Sequence, residues 1–161
     1  MIFFFRNPDY FSRVSKEDID LKLSTRGKYA LYAMVYLAQK ADEGPQPLRA
    51  IAQVDLPEQY LEQLLGSLRK AGLVTTVRGA QGGYHLTRPA NEITVGMILR
   101  ATEGDLAPAE CVKSDVPCGR TNECSTRLVF EKVYSAINNV IDNVTLDELI
   151  PQCAKSVSGH A

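Results

Sequence analysis

Apolar residues recur with a helical period over most of this chain and switch to a strand-like pattern once, near its middle. Ala30, Ala33, Met34, Leu37 and Ala38 share one face of a helix predicted to run to about Gln39, with Ser24 or Thr25 as its cap. Asp42-Glu43-Gly44-Pro45 breaks that pattern. Leu48, Ile51 and Ala52 mark a short helix over 48–53, Val54-Asp55-Leu56 reads as a turn, and Pro57 stands where proline is tolerated, at the first position of the next helix. That helix, predicted over 57–71, carries Leu61, Leu64, Leu65 and Leu68 on one side and ends at Gly72. Two helices joined by a tight turn make a helix-turn-helix.

The period then changes. Leu73 to Val77, the glycine-rich run Arg78 to Gly83, and Tyr84 to Thr87 read as strand, loop and strand, a hairpin where a winged helix carries its wing. His85 alternates with the wing residues and is read as structural or solvent-facing. Helical spacing resumes over 94–102, with Val95, Ile98, Leu99 and Ala101 available to the core. A loop rich in Pro, Gly, Asp and Asn follows, and a long helix is predicted over 125–143. Its Phe130, Tyr134, Ile137, Ile141 and Val144 step by four, three, four and three, the seam of a helix packing on a partner helix, and are the expected dimer interface. Residues 145–150 predict a short terminal helix, and the polar tail 151–161 reads as flexible.

The fold class expected from these patterns is mainly α with a small β-hairpin wing. A winged helix-turn-helix domain would span 21–104, a cysteine loop 105–124, and a dimerisation helix with a short terminal helix 125–150. Residues 1–20 carry clustered aromatics and charge with no period, and read as an N-terminal extension. Leu21 looks like the natural opening of the domain, so a start at a leucine codon there is one expectation.

Composition narrows the class without naming it. With 45% hydrophobic residues in 161, the chain can bury a core, and no window approaches the roughly 18 apolar residues of a membrane span. The run Ile2-Phe3-Phe4-Phe5 has no basic region before it and no small-residue cleavage site, so a signal peptide is not expected and a cytoplasmic location is. The net charge of −1 hides an asymmetry. Residues 21–100 hold ten Lys/Arg against six Asp/Glu, whereas 101–161 hold five against nine. A mildly basic first half suits a polyanion but does not identify one.

The helix-turn-helix supplies candidate DNA contacts, because its second helix would enter the major groove. Opposite the leucines stand Gln59, Glu62, Gln63, Ser67 and Lys70, with Tyr60 near the helix start. Glutamine can bond adenine edges, and Glu62 can accept from a cytosine amino group. Arg78 at the wing tip could enter a minor groove or hold phosphate, and Gly79, Gly82 and Gly83 let the backbone approach closely. Lys22, Arg26 and Lys28 at the start of the first helix suit phosphate contacts. The plainer alternative is a solvated helix face beside an ordinary hairpin turn.

Three of the four cysteines, Cys111, Cys118 and Cys124, fall within fourteen residues. Thiolates in such a group suit zinc or the iron of an iron–sulfur cluster. The spacing lacks the close Cys-x-x-Cys pair of structural zinc knuckles, which favours a cluster, and free loop thiols remain the alternative. Candidates for a fourth ligand are Glu110, Asp115, Glu123, Cys153, a residue of a partner subunit, or solvent. The missing Cys-x-x-Cys pair also argues against a thiol-redox enzyme. A zinc-stabilised protein–protein adaptor is a further class consistent with the cysteines.

Leu23-Ser24-Thr25-Arg26-Gly27-Lys28-Tyr29-Ala30, Tyr60-Leu61-Glu62-Gln63-Leu64-Leu65, Leu68-Arg69-Lys70-Ala71-Gly72-Leu73-Val74 and Val77-Arg78-Gly79-Ala80-Gln81-Gly82-Gly83-Tyr84 resemble the Rrf-type winged-helix regulators, and within them the iron–sulfur regulator branch. The resemblance spans about 21–150, including the three-cysteine loop and Val144-Thr145-Leu146-Asp147-Glu148-Leu149. It implies a homodimer in which the long helices cross between subunits, a double-stranded DNA operator as partner, and no membrane or small-molecule substrate. It also implies a cluster, 2Fe–2S rather than 4Fe–4S, held by Cys111, Cys118 and Cys124. Glu62 falls at the position that tunes promoter class, and Arg78 at a wing arginine that reads DNA. The chain departs from that branch at Arg127, where a histidine three residues after the third cysteine would complete the cluster; guanidinium stays protonated and cannot ligate. Its first cysteine spacing is also one residue longer. The function implied is a repressor of iron–sulfur assembly genes, with nitric-oxide or redox sensing and cysteine-metabolism control as alternatives in the same family.

Overall fold

Ser24 starts the first helix by accepting from the backbone N–H groups of Arg26 and Gly27 at 3.1 and 3.4 Å, leaving two fewer orphan donors at that end. The helix, α1, spans Thr25–Gln39 and buries Ala30, Ala33, Met34, Leu37 and Ala38, the face that the sequence marks, together with Val35. A computed structural model of the chain describes residues 24–52, 57–79, 81–113 and 124–150. The proposed helix-turn-helix turn 54–56, the extension 1–20 and the tail 151–161 therefore lie outside the described residues.

Helix α2 is one turn, Leu48–Ile51, shorter than the 48–53 expected, and α3 spans Glu58–Lys70. Pro57 takes the cap position rather than the first helical one. Leu61, Leu64, Leu65 and Leu68 are each at most 1% exposed, so the leucine face is wholly inside. The end of α3 is a Schellman motif. Leu73 N–H donates to the Leu68 carbonyl, Gly72 N–H to that of Arg69, and Gly72 sits at φ 71° where a side chain would be strained.

Strands β1 (Val74–Val77) and β2 (Gly83–Leu86) form the antiparallel wing, with Thr75 opposite His85 and Thr76 opposite Tyr84. Gln46 adds an isolated bridge to Tyr84 on the far side, exchanging two backbone hydrogen bonds of 2.8 Å. This works because Gly83 has no side chain: a Cβ there would lie 2.3 Å from the Gln46 carbonyl oxygen. Gln46 is buried, with its amide donating to the Gly44 carbonyl and its side-chain oxygen accepting from Tyr36.

Thr94 caps α4, Val95–Glu103, by accepting from Met97 N–H. Helix α4 packs on α1, α3 and the last helix, α5, Arg127–Asn143. Glycines permit two of these close approaches. A Cβ on Gly27 of α1 would meet Leu99 and the Glu103 carboxylate at 3.0 and 2.9 Å, and one on Gly96 would meet Asp142 of α5 at 2.1 Å. After α5 the chain returns to α4. Val144 and Thr145 pair across from Thr94 and Val95, and Leu146, 0% exposed, joins the main core below the 3-10 turn Asp147–Leu149. The terminal segment is thus part of the same core as α1 and α3.

The seam read along α5 turns inward in the chain itself. Ile137 and Ile141 are buried with Leu99 of α4, and Val133, Val95, Leu31 and Leu106 pack around them. Tyr134 donates from its hydroxyl to Asp105, and Phe130 and Val144 are half-buried. A helical stripe needs an apolar partner but does not say from which chain, and here α4 supplies it. The large apolar residues that α5 leaves exposed are Leu128, Val129 and Val140.

Candidate functional site

Helix α3 presents Gln59, Glu62, Gln63, Arg69 and Lys70 as exposed residues on the side away from its leucines. Amphipathicity alone enforces this: four leucines at helical spacing leave the polar residues only the outer face. Arg49 of α2 reaches Glu58 at the start of α3 with an N–O distance of 3.5 Å, spanning the two helices. Lys22 lies outside the described residues. Arg26 is exposed and donates from Nη2 to Ser67 Oγ of α3 at 2.9 Å. Lys28 is exposed and stands 5.8 Å from the Tyr32 ring.

Tyr60 and Ser67, also read from sequence as DNA contacts, have structural partners as Arg26 does. Tyr60 is half-buried and meets the edge of Tyr29 at 6.4 Å between ring centres, which docks α3 on α1. Ser67 is half-buried, accepts from Arg26 and donates to the Gln63 carbonyl at 3.3 Å. Arg78 is exposed just beyond β1, and Gly79 adopts φ 118° in a turn closed by Gly82 N–H donating to the Gly79 carbonyl. His85 keeps a structural role, its Nδ1 3.0 Å from the Leu86 carbonyl. Sequence reading missed Gln46 and the Arg26–Ser67 pairing, because both depend on contacts between segments far apart in the chain. The doubled glycine Gly82-Gly83 was the available signal for a close backbone approach.

The cysteine loop is described at its two ends, with Cys118 outside the described residues. Cys111 lies in a 3-10 turn, Glu110–Val112, that packs against α5, and Cys124 stands three residues before α5 begins. Both carry free, half-exposed thiols. Cys124 Sγ is 3.3 Å from the Thr126 hydroxyl. Hydrogen bonds from the Thr126 side chain and backbone, with Arg127 nearby, hold that thiol below its ordinary range and favour the thiolate, the ligating and nucleophilic form. Arg127 is paired with Glu131 at 2.6 Å. Glu110, a candidate fourth ligand, is paired with Lys113 at 2.6 Å and mostly exposed; Asp115, Glu123 and Cys153 lie outside the described residues. Among the described residues no group of three or more metal-ligating side chains converges.

One junction connects this loop to the α1–α3 face. Arg100 of α4 forms two hydrogen bonds to Asp142 of α5, 2.7 and 2.8 Å, and a third to Asn138 at 2.7 Å. The pair holds the Asp142 carboxyl below its usual range and Arg100 above its own. At the end of α4, Glu103 accepts from the Ser24 hydroxyl that caps α1. Two residues further on, Asp105 accepts from Tyr134 of α5 at 2.9 Å, at the root of the cysteine loop.

A family model described as Rrf2, iron-dependent transcriptional regulator, matches residues 23–152. The chain belongs to the Rrf2 family. The HTH-type transcriptional regulator CymR of Bacillus subtilis (strain 168) is 42% identical over 130 residues, 80% of this chain and 89% of its own. Its solved structure, described as that of the global cysteine regulator of B. subtilis, covers 80% of this chain and 95% of its own with a TM-score of 0.66. IscR of Pectobacterium carotovorum subsp. carotovorum (strain PC1) is 38% identical over 131 residues, 81% of this chain and 79% of its own. The structure of T. potens IscR is 43% identical, has a TM-score of 0.68 and covers 88% of this chain and 95% of that one. This Rrf2 chain is therefore a winged-helix, DNA-binding transcriptional regulator and not an enzyme. Among the described residues no helix is long and apolar enough to cross a membrane.

Proposed function

We propose that this Rrf2 protein is a homodimeric repressor of iron–sulfur assembly genes in the cytoplasm, its operator affinity set by an iron–sulfur cluster at Cys111, Cys118 and Cys124. The observation that supports this most is the junction around α4. A helix that begins three residues past Cys124 is fixed to α4 by Arg100, Asp142 and Asn138, and Glu103 of α4 accepts from the Ser24 hydroxyl that caps α1. A change at the cysteines thus has a mechanical route to the helices that present the DNA-reading face. To shift binding, the cluster must interact differently with the two geometries of those helices.

The thiols fit a soft-metal group. Cys111 and Cys124 would hold it from the two ends of the loop and Cys118 from between them, with the thiolate at Cys124 already favoured by Thr126. A 2Fe–2S cluster is the form that the family resemblance favours, and when bound it would supply a link sensitive to oxidants and iron supply. The Arg127 guanidinium stays protonated and is engaged by Glu131, so a fourth ligand would come from elsewhere: Glu110 after release of Lys113, Asp115, Glu123, Cys153, a partner subunit, or solvent.

A second copy would meet α5 on its outer stripe of Val129, Ala136 and Val140, beside the shallow face of Leu128, Lys132 and Ser135. Two copies related by a dyad would offer their α3 helices, with Gln59, Glu62 and Gln63, to two half-sites about 34–36 Å apart. Gly79 would let the wing carry Arg78 to the backbone or minor groove, with Lys22 and Lys28 adding phosphate contacts.

A thiol-based regulator of cysteine metabolism is the second reading, favoured by Arg127 and by the 42% identity to B. subtilis CymR. Anaerobic purification separates the two. A brown protein whose visible absorbance disappears with C118A supports the cluster; a colourless protein, with zinc or without metal, overturns it. Replacing Gln63 or Arg78 by alanine is expected to weaken operator binding about tenfold or more, and unchanged gel shifts for both would reject the reading face.

A further inference from the structure

Ser67 has one hydroxyl proton, and its surroundings commit that proton. Its Oγ lies 3.3 Å from the Gln63 carbonyl one turn back along α3 and donates to it. Its second contact has the opposite sense, with Arg26 Nη2 donating to Ser67 Oγ at 2.9 Å. A hydroxyl in this state presents only lone pairs outward. It receives a guanidinium well and has nothing to donate to a phosphate oxygen.

Arg26 has the complementary surplus. A guanidinium carries five N–H donors, and the contact to Ser67 uses one. Among the described residues no carboxylate pairs with it. Its own backbone N–H is capped by Ser24, so the start of α1 is fixed while the side chain crosses to α3. Close by, the Tyr29–Tyr60 contact ties the same two helices together. An arginine free in solvent loses rotamer freedom when it binds, whereas one already hydrogen-bonded in place has lost part of it beforehand.

We propose that Ser67 is a positioning residue for DNA binding: it holds Arg26 of α1 against the flank of α3, so that the remaining guanidinium donors meet a backbone phosphate at the edge of the groove that α3 enters. This rests on the DNA-reading face assigned above. The pair supplies charge at a fixed place and no base recognition, so its effect is the same on any duplex sequence.

The test is a double-mutant cycle read through salt dependence. Binding is measured over a salt series for the wild type, S67A, S67T, R26A, S67A/R26A and R78A. The two probes are a duplex recovered by selection from a randomised pool and a mixed-sequence duplex. R26A is expected to lower the log–log salt slope by about one on both probes. S67A should weaken binding by roughly threefold to tenfold, S67T should retain affinity, and S67A/R26A should bind no more weakly than R26A. If S67A costs as much in the R26A background as in the wild type, Ser67 touches DNA itself and the proposal is overturned. An R26A slope equal to that of the wild type overturns it as well. The R78A arm isolates the parent reading: if R78A binds both probes like the wild type, the reading face and this proposal fall together. If R78A is weakened but the cycle is additive, only the role of Ser67 is lost.

Discussion

The α1–α3–wing region and the α5 arm solve the burial problem differently. In the first, every leucine of α3 is inside, Met34 and Leu37 of α1 meet them, and Leu146 closes the core from the far end of the chain. In the second, α5 fully buries only Ile137 and Ile141 while leaving Leu128, Val129 and Val140 more than half exposed. Among the described residues the core of the α1–α3–wing region closes within one chain, whereas α5 packs on α4 and the 110–112 turn along its inner side and leaves its outer side open. Stability should concentrate in the first region, and sensitivity to association and to the cysteine loop in the second.

The sharpest way to break that contrast is to remove a side chain from the complete core. Leu65→Ala, at a position 0% exposed, is expected to lower unfolding free energy by about 2–5 kcal/mol in a denaturant titration; a loss under 1 kcal/mol would mean the core is looser than its burial implies. Next in size is Gly83→Ala, which pushes a methyl to 2.3 Å from the Gln46 carbonyl oxygen. A loss of about 1–3 kcal/mol is expected from that crowding, with DNA affinity falling too because the wing separates from Gln46. A fully stable variant with normal DNA binding would show that the Gln46 bridge is dispensable.

Asp142→Ala tests the junction between the two regions. Its side chain and that of Arg100 are 45% and 38% exposed, so solvent screening limits the loss to about 0.5–1 kcal/mol at neutral pH. Because Arg100 lowers the carboxyl pKa in the folded protein, this contribution is full above the unfolded value near 4 and fades as pH falls through the folded value. The difference between wild type and variant should accordingly narrow in acid; a gap that widens there would contradict the pairing. The smallest stability change is expected for Val140→Glu, within about 0.5 kcal/mol since the residue is 55% exposed. Sedimentation should nonetheless show the proposed dimer shifted toward monomer in that variant, and an unchanged oligomeric state would move the proposed contact off this stripe.

Much of the fold was legible because its signals are local. The leucine period of α3, the stop at Gly72 and the glycine-rich turn between two short strands each rest on neighbouring residues, and the observed bounds differ from the expected ones by a residue or two. On the face proposed to read DNA, the exposure of Gln59, Glu62, Gln63, Arg78 and Gly79 was visible in the same way, since whatever is opposite buried leucines or at a hairpin tip is exposed. The α5 stripe was legible as apolar but not as to its partner. Its seam of Phe130, Tyr134, Ile137, Ile141 and Val144 has the same period whether α4 or another subunit lies across it.

The sequence by itself thus determined which segments are helices and strands, which face of each seeks a core, and that soft ligands cluster before the last helix. The physical reason is that backbone propensity, capping and amphipathic period act over a few residues. Only the tertiary structure decided that Gly96 admits α5 to α4, that Gln46 extends the wing, and that Arg26 rests on Ser67 from forty-one positions away. Those contacts depend on where distant segments meet, and no periodicity within either segment specifies that meeting.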